Sequence, residues 1–570
     1  MEPAPRDDLI AWREYRSRHV VDLTALTAHI RARRGERFPE DQSRRFEEFA
    51  KVVTRTIEPA VATLEAHRDY PRLLPYDEIG RRVDRVEFHP AQTVAATATW
   101  AGGLAATSLD ENGAFELAGL FFLLAHVGEG GQCCPLVCTV GLRRALERRG
   151  SPELQDRYLG ALRSRDVTTA MRGSQFLTEV QGGSDVGSNV TRAVLDSTGE
   201  RWLISGEKWF CSVADADLFA VTARTPNGPP GTRGLGCFLV PRTIDGVTTN
   251  GFRIRRLKDK LGTRALASGE IDFDGAIGWP LGEVTEGFDV AVTELLNTSR
   301  WLNALGSTGI MSRACLEAAS FARHRHAFGR PVADFDAVRA QLAEMRMETL
   351  AALASSVALT ELVGKIDEGT ASPRDVSVHR FLVNANKFVT SAAATRVVHV
   401  AIEILGGNGT IEDFSCLPRL YRDAVVYESW EGTHNVLCAQ VRRDCAKMKV
   451  LSPVEQWLRD ELNLVSARWN EERSRIHAIL DGLMSSLTKT VADAQVTDAT
   501  FRHQLSGLVR AIQSTCLLRV ADSTSAAPSD RAAIRGFLLF WFREGGSQDT
   551  PRWLEFVDEI VDAMPDSLVL

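Results

Sequence analysis

Three textures follow one another along the chain. Over residues 1 to about 172, charged and apolar residues mix without alternation, as in 43–66, and predict helices. Residues 98–149 are richer in small and apolar side chains, and the run 117–125 reads as a core helix. Near Gly173 the pattern changes. Segments 203–210, 218–223, 235–240 and 269–273 are short strand candidates, separated by turns rich in Gly, Pro, Asn and Asp. From about Glu286 helical spacing returns: Phe335, Val338, Leu342 and Met345 form one apolar face, and helical sequence continues through 376–404. Gly406-Gly407-Asn408-Gly409 then interrupts it. Glycine weakens a helix interior, so this run either turns the chain or admits another group close to the backbone. A last helical region carries anchors such as Trp457, Trp469 and Trp541, with a loop at 523–530.

These changes divide the chain into an N-terminal helical domain (1–172), a β-domain (173–285), a helical bundle (286–450) and a C-terminal helical extension (451–570). The expected fold class is mainly α with a central β-domain. At 570 residues and 44% hydrophobic content the chain exceeds what one core supports. Its 67 basic residues face 74 acidic ones, a net charge of -7. That mild excess argues against a general preference for nucleic acid. The last 120 residues, 12 basic against 17 acidic, argue the same way. No stretch resembles a membrane span, and the opening MEPAPRDDLI is not a signal peptide. Ten cysteines in no regular framework fit a reducing cytoplasm. Cys133, Cys134 and Cys138 lack structural zinc spacing, so no metal is expected.

The most informative stretch is Trp430-Glu431-Gly432-Thr433-His434-Asn435. A carboxylate follows an aromatic, and 436–443 reads as a helix start. An acid beside an aromatic wall is partly dehydrated, which suits a general base. Gly432 and Thr433 bring backbone donors to a helix start, where they hold an anion or carbonyl, or merely cap a turn. No strand-turn-helix GxGxxG supports a Rossmann site, and Gly182-Gly183-Ser184 is only a donor-rich turn.

Seven motifs occur in one order: Phe176-Leu-Thr-Glu-Val-Gln-Gly-Gly-Ser-Asp185, Gly206-Glu-Lys-Trp-Phe-Cys-Ser212, Leu257-Lys-Asp-Lys-Leu-Gly-Thr-Arg264, Arg325-His-Ala-Phe-Gly329, Ile404-Leu-Gly-Gly-Asn-Gly409, Leu417-Pro-Arg-Leu-Tyr-Arg-Asp423 and Trp430-Glu-Gly-Thr433. Through them the chain resembles the acyl-CoA dehydrogenase family of flavoproteins over roughly residues 75–445, in its AidB-like (alkylation-response) branch. The resemblance implies an FAD-dependent α,β-dehydrogenation of an acyl thioester on CoA or a carrier protein. Glu431 would take the α-proton and flavin N5 the β-hydride. It further implies cofactor contacts from Leu177 and Thr178 at the ring edge, Ser184 at the pyrophosphate, Phe210 over one ring face and Ser212 beside it. Arg325 would face phosphate, with Phe328, Gly406, Gly407, Thr433 and Asn435 as further FAD contacts. Arg300 would support the base, and Trp430 would narrow the acyl channel or pack as a wall. A homotetramer or homodimer and an electron-transfer flavoprotein partner are implied as well.

Some positions depart from the family pattern: Ala327 stands for threonine, Asp336 near an expected glutamine, Glu403 for glutamine, and His434-Asn435 after the acid. Serine at 299, beside Arg300, cannot replace a carboxylate at the alternative base position. Three other readings stay open on this scaffold. One is a flavin oxidase or monooxygenase, a second a nucleic-acid-associated alkylation-response protein, and a third a structural or acyl-binding protein that retains FAD without turnover.

Overall fold

The computed structural model describes residues 6–493, 495–542 and 551–564; the first five residues of the opening segment lie outside this range. The chain forms two compact units, each built from separated stretches of sequence.

One unit holds residues 59–107 and 129–302. Its strands are β1 (Arg72–Tyr76), β2 (Arg82–Glu87), β3 (Gly173–Phe176), β4 (Arg192–Leu195), β5 (Trp202–Ser212), β6 (Leu218–Arg224), β7 (Leu235–Pro241), β8 (Phe252–Leu257) and β9 (Ser268–Pro280). The path β6-β4-β5-β9-β7 returns to β6, so these strands close into a barrel, with β3 beside β6 and β8 on β9. Each strand candidate from the sequence lies in a strand. Closure removes unpaired edges, and β6 and β7 are almost wholly buried. Leu218, Ala220, Cys237 and Leu239 of the barrel pack on Leu142, Leu146, Tyr158 and Leu162 of helices Cys133–Arg149 and Pro152–Leu162.

The antiparallel hairpin β1–β2 lies in a region that reads as helical from sequence. β1 reads Arg-Leu-Leu-Pro-Tyr and β2 Arg-Val-Asp-Arg-Val-Glu, so no sustained apolar alternation marks it. Its partners are polar: Asp84 Oδ2 accepts from the Ile254 backbone N–H at 3.0 Å, and Arg82 donates to the Ile254 carbonyl at 2.9 Å.

The second unit holds residues 1–58, 108–128 and 303–570, and its described residues are mainly helical. Helices Asp336–Glu368 and Pro373–Leu405 pack together at its centre, with Glu111–Leu124 and Asp498–Asp522 on the first. Ser372 caps the second helix with a reciprocal box to Asp375, and Pro373 opens it. Contrary to the expectation of no membrane-like stretch, Asp336–Glu368 and Pro373–Thr410 are long and apolar enough to cross a bilayer. Their apolar windows are 83% and 61% buried by neighbouring helices, so their hydrophobicity serves a core. The C-terminal extension is part of this core. Arg510 donates to buried Glu348 at 2.7 Å, and Trp541 Nε1 donates to the same carboxylate at 2.6 Å.

Candidate active site

In the barrel unit, the turn after β3 carries Leu177, Thr178 and Ser184. It is anchored by an ion pair to which the sequence alone assigns no role: Lys208 Nζ and Glu179 Oε1 stand 2.7 Å apart with both side chains fully buried. Lys208 also donates to the Leu177 carbonyl at 3.3 Å, and Glu179 accepts from Val190 N–H at 2.7 Å and Gln181 Nε2 at 2.9 Å. Burial works to raise the Glu179 pKa, but the Lys208 charge and these hydrogen bonds outweigh it and hold the carboxyl below its usual range. Asn189 Nδ2 adds a 2.6 Å bond to the Leu177 carbonyl.

Leu177 itself is buried, while Thr178 is half-buried and Ser184 exposed. A Cβ on Gly183 would lie 2.8 Å from the Thr178 hydroxyl, so glycine is what lets the loop close over that side chain. Ser212 lies 3.5 Å from the Ser268 hydroxyl.

Phe210 is 54% exposed, although strict alternation from buried Ile204 and Lys208 would turn it inward. Lys208 pairs with Ile271 and Cys211 with Gly269, so β5 has one extra residue there. That bulge rotates Phe210 out and Cys211 in. Lys258 Nζ sits 4.7 Å from the Phe210 ring centroid and 3.4 Å from that of Trp209. Arg300 is buried in helix Asn297–His324, and neighbouring Ser299 accepts from Gln175 at 2.9 Å.

In the helical unit, Trp430, Glu431 and Thr433 occupy the turn between helices Leu417–Ser429 and His434–Met448. Glu431 is half-buried with φ 57°, a left-handed conformation that costs a non-glycine residue on the order of 1–3 kcal/mol. Trp430 stacks on buried Tyr427 at 5.0 Å between centroids. Thr433 stands at the N-cap of the second helix but makes no side-chain capping bond. Asn435 is exposed, and its Oδ1 accepts from Arg502 of the C-terminal extension at 2.5 Å. Buried Lys387, from helix Pro373–Leu405, donates to the Glu428 and Gly432 carbonyls at 2.9 Å each.

His434 Nε2 lies 3.6 Å from Glu428 and 3.3 Å from the Ser391 hydroxyl. Burial, then the charges of Lys387 and Arg502, push its pKa down to about 4, so at neutral pH the contact with Glu428 is not an ion pair.

Elsewhere in this unit, Phe328 and Gly329 form the two-residue tip of a hairpin, both at positive φ, with Phe328 96% exposed. Arg325 at its base makes no ion pair among the described residues. Gly406 and Gly407 are exposed, with no atom within 4 Å of where a Cβ would stand.

The residues therefore form two sets within separate units. Leu177, Thr178, Ser184, Phe210, Ser212 and Arg300 belong to one; Arg325, Phe328, Gly406, Gly407, Trp430, Glu431, Thr433 and Asn435 belong to the other. Lys208, Glu179, Lys387 and Arg502 were missed. The available signal was a lysine inside an apolar strand or helix, which must find partners when buried.

Family profiles match the chain in three places: "Adaptive response protein AidB N-terminal domain" over 19–167, "Acyl-CoA dehydrogenase, middle domain" over 174–276 and "Acyl-CoA dehydrogenase, C-terminal domain" over 285–445. The putative acyl-CoA dehydrogenase AidB of Escherichia coli is 36% identical over 384 residues, covering 65% of this chain and 69% of that protein. This chain belongs to the acyl-CoA dehydrogenase family. Among solved acyl-CoA dehydrogenase structures, Caenorhabditis elegans ACDH-11 in complex with C11-CoA superposes with a TM-score of 0.82 at 26% identity, covering 94% of this chain and 93% of its own. An acyl-CoA dehydrogenase of Bacillus anthracis complexed with FAD shares the fold, with a TM-score of 0.75 at 18% identity over 93% and 95% of the two chains.

Proposed function

We propose that Glu431 is the base in this chain's reaction, the FAD-dependent α,β-dehydrogenation of an acyl thioester. The reaction class follows from membership of the acyl-CoA dehydrogenase family. The observation that carries the residue assignment is the Glu431 turn. A carboxylate that matches the family's catalytic acid is held in a left-handed backbone conformation at the head of a helix.

The residues present suit a flavin dinucleotide. An exposed aromatic ring at Phe210 offers a face for a flat heterocycle, and the Thr178 and Ser212 hydroxyls offer bonds to its edge. Leu177 contributes its backbone there. The Ser184 hydroxyl and the Arg325 guanidinium, the latter without an ion pair among the described residues, are each suited to phosphate oxygens, a guanidinium as a bidentate donor. Phe328, Gly406, Gly407, Thr433 and Asn435 complete the contacts, Gly406 and Gly407 toward the adenine end. When bound, FAD supplies the acceptor for the β-hydride.

Glu431 takes the α-proton, and its backbone N–H polarises the thioester carbonyl, which lowers the barrier to that step. Arg300 has a supporting role. Trp430, committed to Tyr427 by stacking, forms a fixed wall beside the base. The C11-CoA held by the C. elegans relative supports a CoA thioester as the substrate form. A homotetramer or homodimer, an electron-transfer flavoprotein as acceptor and a cytoplasmic location complete this reading, along with the four regions 1–172, 173–285, 286–450 and 451–570.

The test is anaerobic mixing of the yellow holoprotein with a panel of acyl-CoA and carrier-protein thioesters. Flavin bleaching with a product lighter by two hydrogens is expected. In a parallel mixture admitted to air, product carrying an oxygen atom from O2 would instead favour the monooxygenase. Glu431→Gln should keep FAD and lose about 10²–10⁴-fold in the rate of bleaching. Unchanged turnover in that variant would reject the assignment.

A further inference from the structure

Glu431 occupies a backbone conformation that an L-residue rarely adopts, and such strain persists only where surrounding groups over-determine it. The residues on either side of it show what does so. Glu428 lies in the last turn of helix Leu417–Ser429, where carbonyls lack intrahelical donors. Gly432 follows the base, at φ 109°. The carbonyls of both point at one atom, Lys387 Nζ, which stands 2.9 Å from each. Lys387 is fully buried on a 33-residue helix in the centre of the unit. A charge there is expensive to hide unless hydrogen-bonded, so the ammonium and the two carbonyls hold one another in place. The bridge spans the residue three before the base and the residue one after it.

The neighbouring polar groups have partners of their own. Glu428 turns its carboxylate to Thr395 and toward His434. Ser391, one turn along the lysine's helix, donates to the Lys387 carbonyl at 2.8 Å and lies against His434. Arg502 holds Asn435, beyond the turn.

We propose that Lys387 is a positioning residue for catalysis: its ammonium clamps the 428–432 turn and thereby fixes the backbone on which the Glu431 carboxylate is aimed. The proposal rests on Glu431 being the base. Lys387 touches no reacting atom. It acts by denying the turn the right-handed and extended conformations that glutamate prefers. Orientation is where such a clamp matters, since a displacement of about 1 Å at a reacting group costs about 100-fold in rate.

The experiment compares holoenzymes carrying Lys387→Met, Lys387→Gln and Glu431→Gln with the unaltered protein. Backbone hydrogen exchange in peptides covering 428–435 needs no substrate. Lys387→Met is expected to speed exchange there by about tenfold or more while leaving the barrel peptides unchanged. Lys387→Gln, which keeps a shorter donor, should give a smaller change of the same sign and serves if the methionine variant does not fold. The second readout is α-proton exchange into acyl-CoA thioesters in D₂O, using butyryl-, octanoyl- and palmitoyl-CoA. Lys387→Met should retain FAD and a KM near that of the unaltered protein, with the exchange rate lowered by about 10–100-fold. Protected amides at 428–435 in the variants, or unaltered α-proton exchange while Glu431→Gln is inactive, would overturn the proposal. Full exchange by Glu431→Gln would instead overturn the base assignment beneath it.

Discussion

Two loops in this molecule are each held by a buried lysine, and the lysines are satisfied in opposite ways. In the barrel, Lys208 faces a carboxylate, and Glu179 in turn gathers the N–H groups of Val190 and Thr191. Charge cancels charge, and the turn after β3 is tied to the barrel wall as a unit. In the helical unit, Lys387 is bonded to two carbonyls, and the carboxylate of nearby Glu428 is directed to Thr395 instead. The first arrangement cross-links two segments; the second fixes the path of one. On the proposed roles, a loop that contacts the cofactor needs only to stay in place, whereas a base needs one orientation. The comparison then predicts stability as the contribution of one lysine and aim as that of the other.

The largest stability effect separating them belongs to Lys208→Met. It leaves a carboxylate buried without its counter-charge, which costs about 3–5 kcal/mol. A lower urea midpoint for this variant, with most of the loss recovered when Glu179→Gln is added, would confirm that the pair acts as a unit. Lys387→Met leaves two carbonyls rather than a charge behind, at about 1–3 kcal/mol. If the two variants lost equal stability and equal activity, the contrast between the loops would collapse.

Much of the fold was readable because periodicity reports burial. The runs 218–223 and 235–240 became barrel strands, and the apolar positions Leu342 and Met345 became core. What was unreadable depends on partners distant in sequence. The β1–β2 hairpin is fixed by hydrogen bonds to β8, about 170 residues away, and carries no sustained apolar alternation of its own. Phe210 faces outward only because of a bulge, and one extra residue in a strand leaves no mark in composition. Motif matching picked out Glu431 and its neighbours. It passed over Lys387, 44 positions upstream, because helix packing alone brings it to the turn.

Gly183 sharpens the comparison at an intermediate scale. Gly183→Ala places a methyl 2.8 Å from the Thr178 hydroxyl, and Thr178 has little length with which to yield. Overpacking of this kind costs about 1–3 kcal/mol. Since the displaced group is a proposed flavin contact, FAD content after gel filtration should fall more than the thermal midpoint does. An equal FAD content with a lowered midpoint would mean that the glycine serves the loop's fold and not the cofactor.

The smallest effect is a pH dependence specific to the helical unit's turn. His434 is held neutral, its pKa pushed down to about 4 mainly by burial, whereas the unfolded chain takes up that proton near pH 6.5. The unfolded state therefore binds more protons between these values, and stability falls as the pH is lowered through that window and returns above it. Buried His126, also pushed down to about 4, and His29 and His477, both lowered chiefly by burial, add parallel contributions away from the turn. His434→Asn should remove one share and leave the others, giving a shallower fall of the thermal midpoint from pH 6.5 to pH 4. Amide exchange at 428–435 should lose its acid sensitivity in the same variant, while exchange in the Glu179–Lys208 loop, which makes no hydrogen bond to a histidine among the described residues, should keep the pH dependence of the unaltered protein. An identical midpoint slope with and without His434 would show that its burial is not coupled to folding.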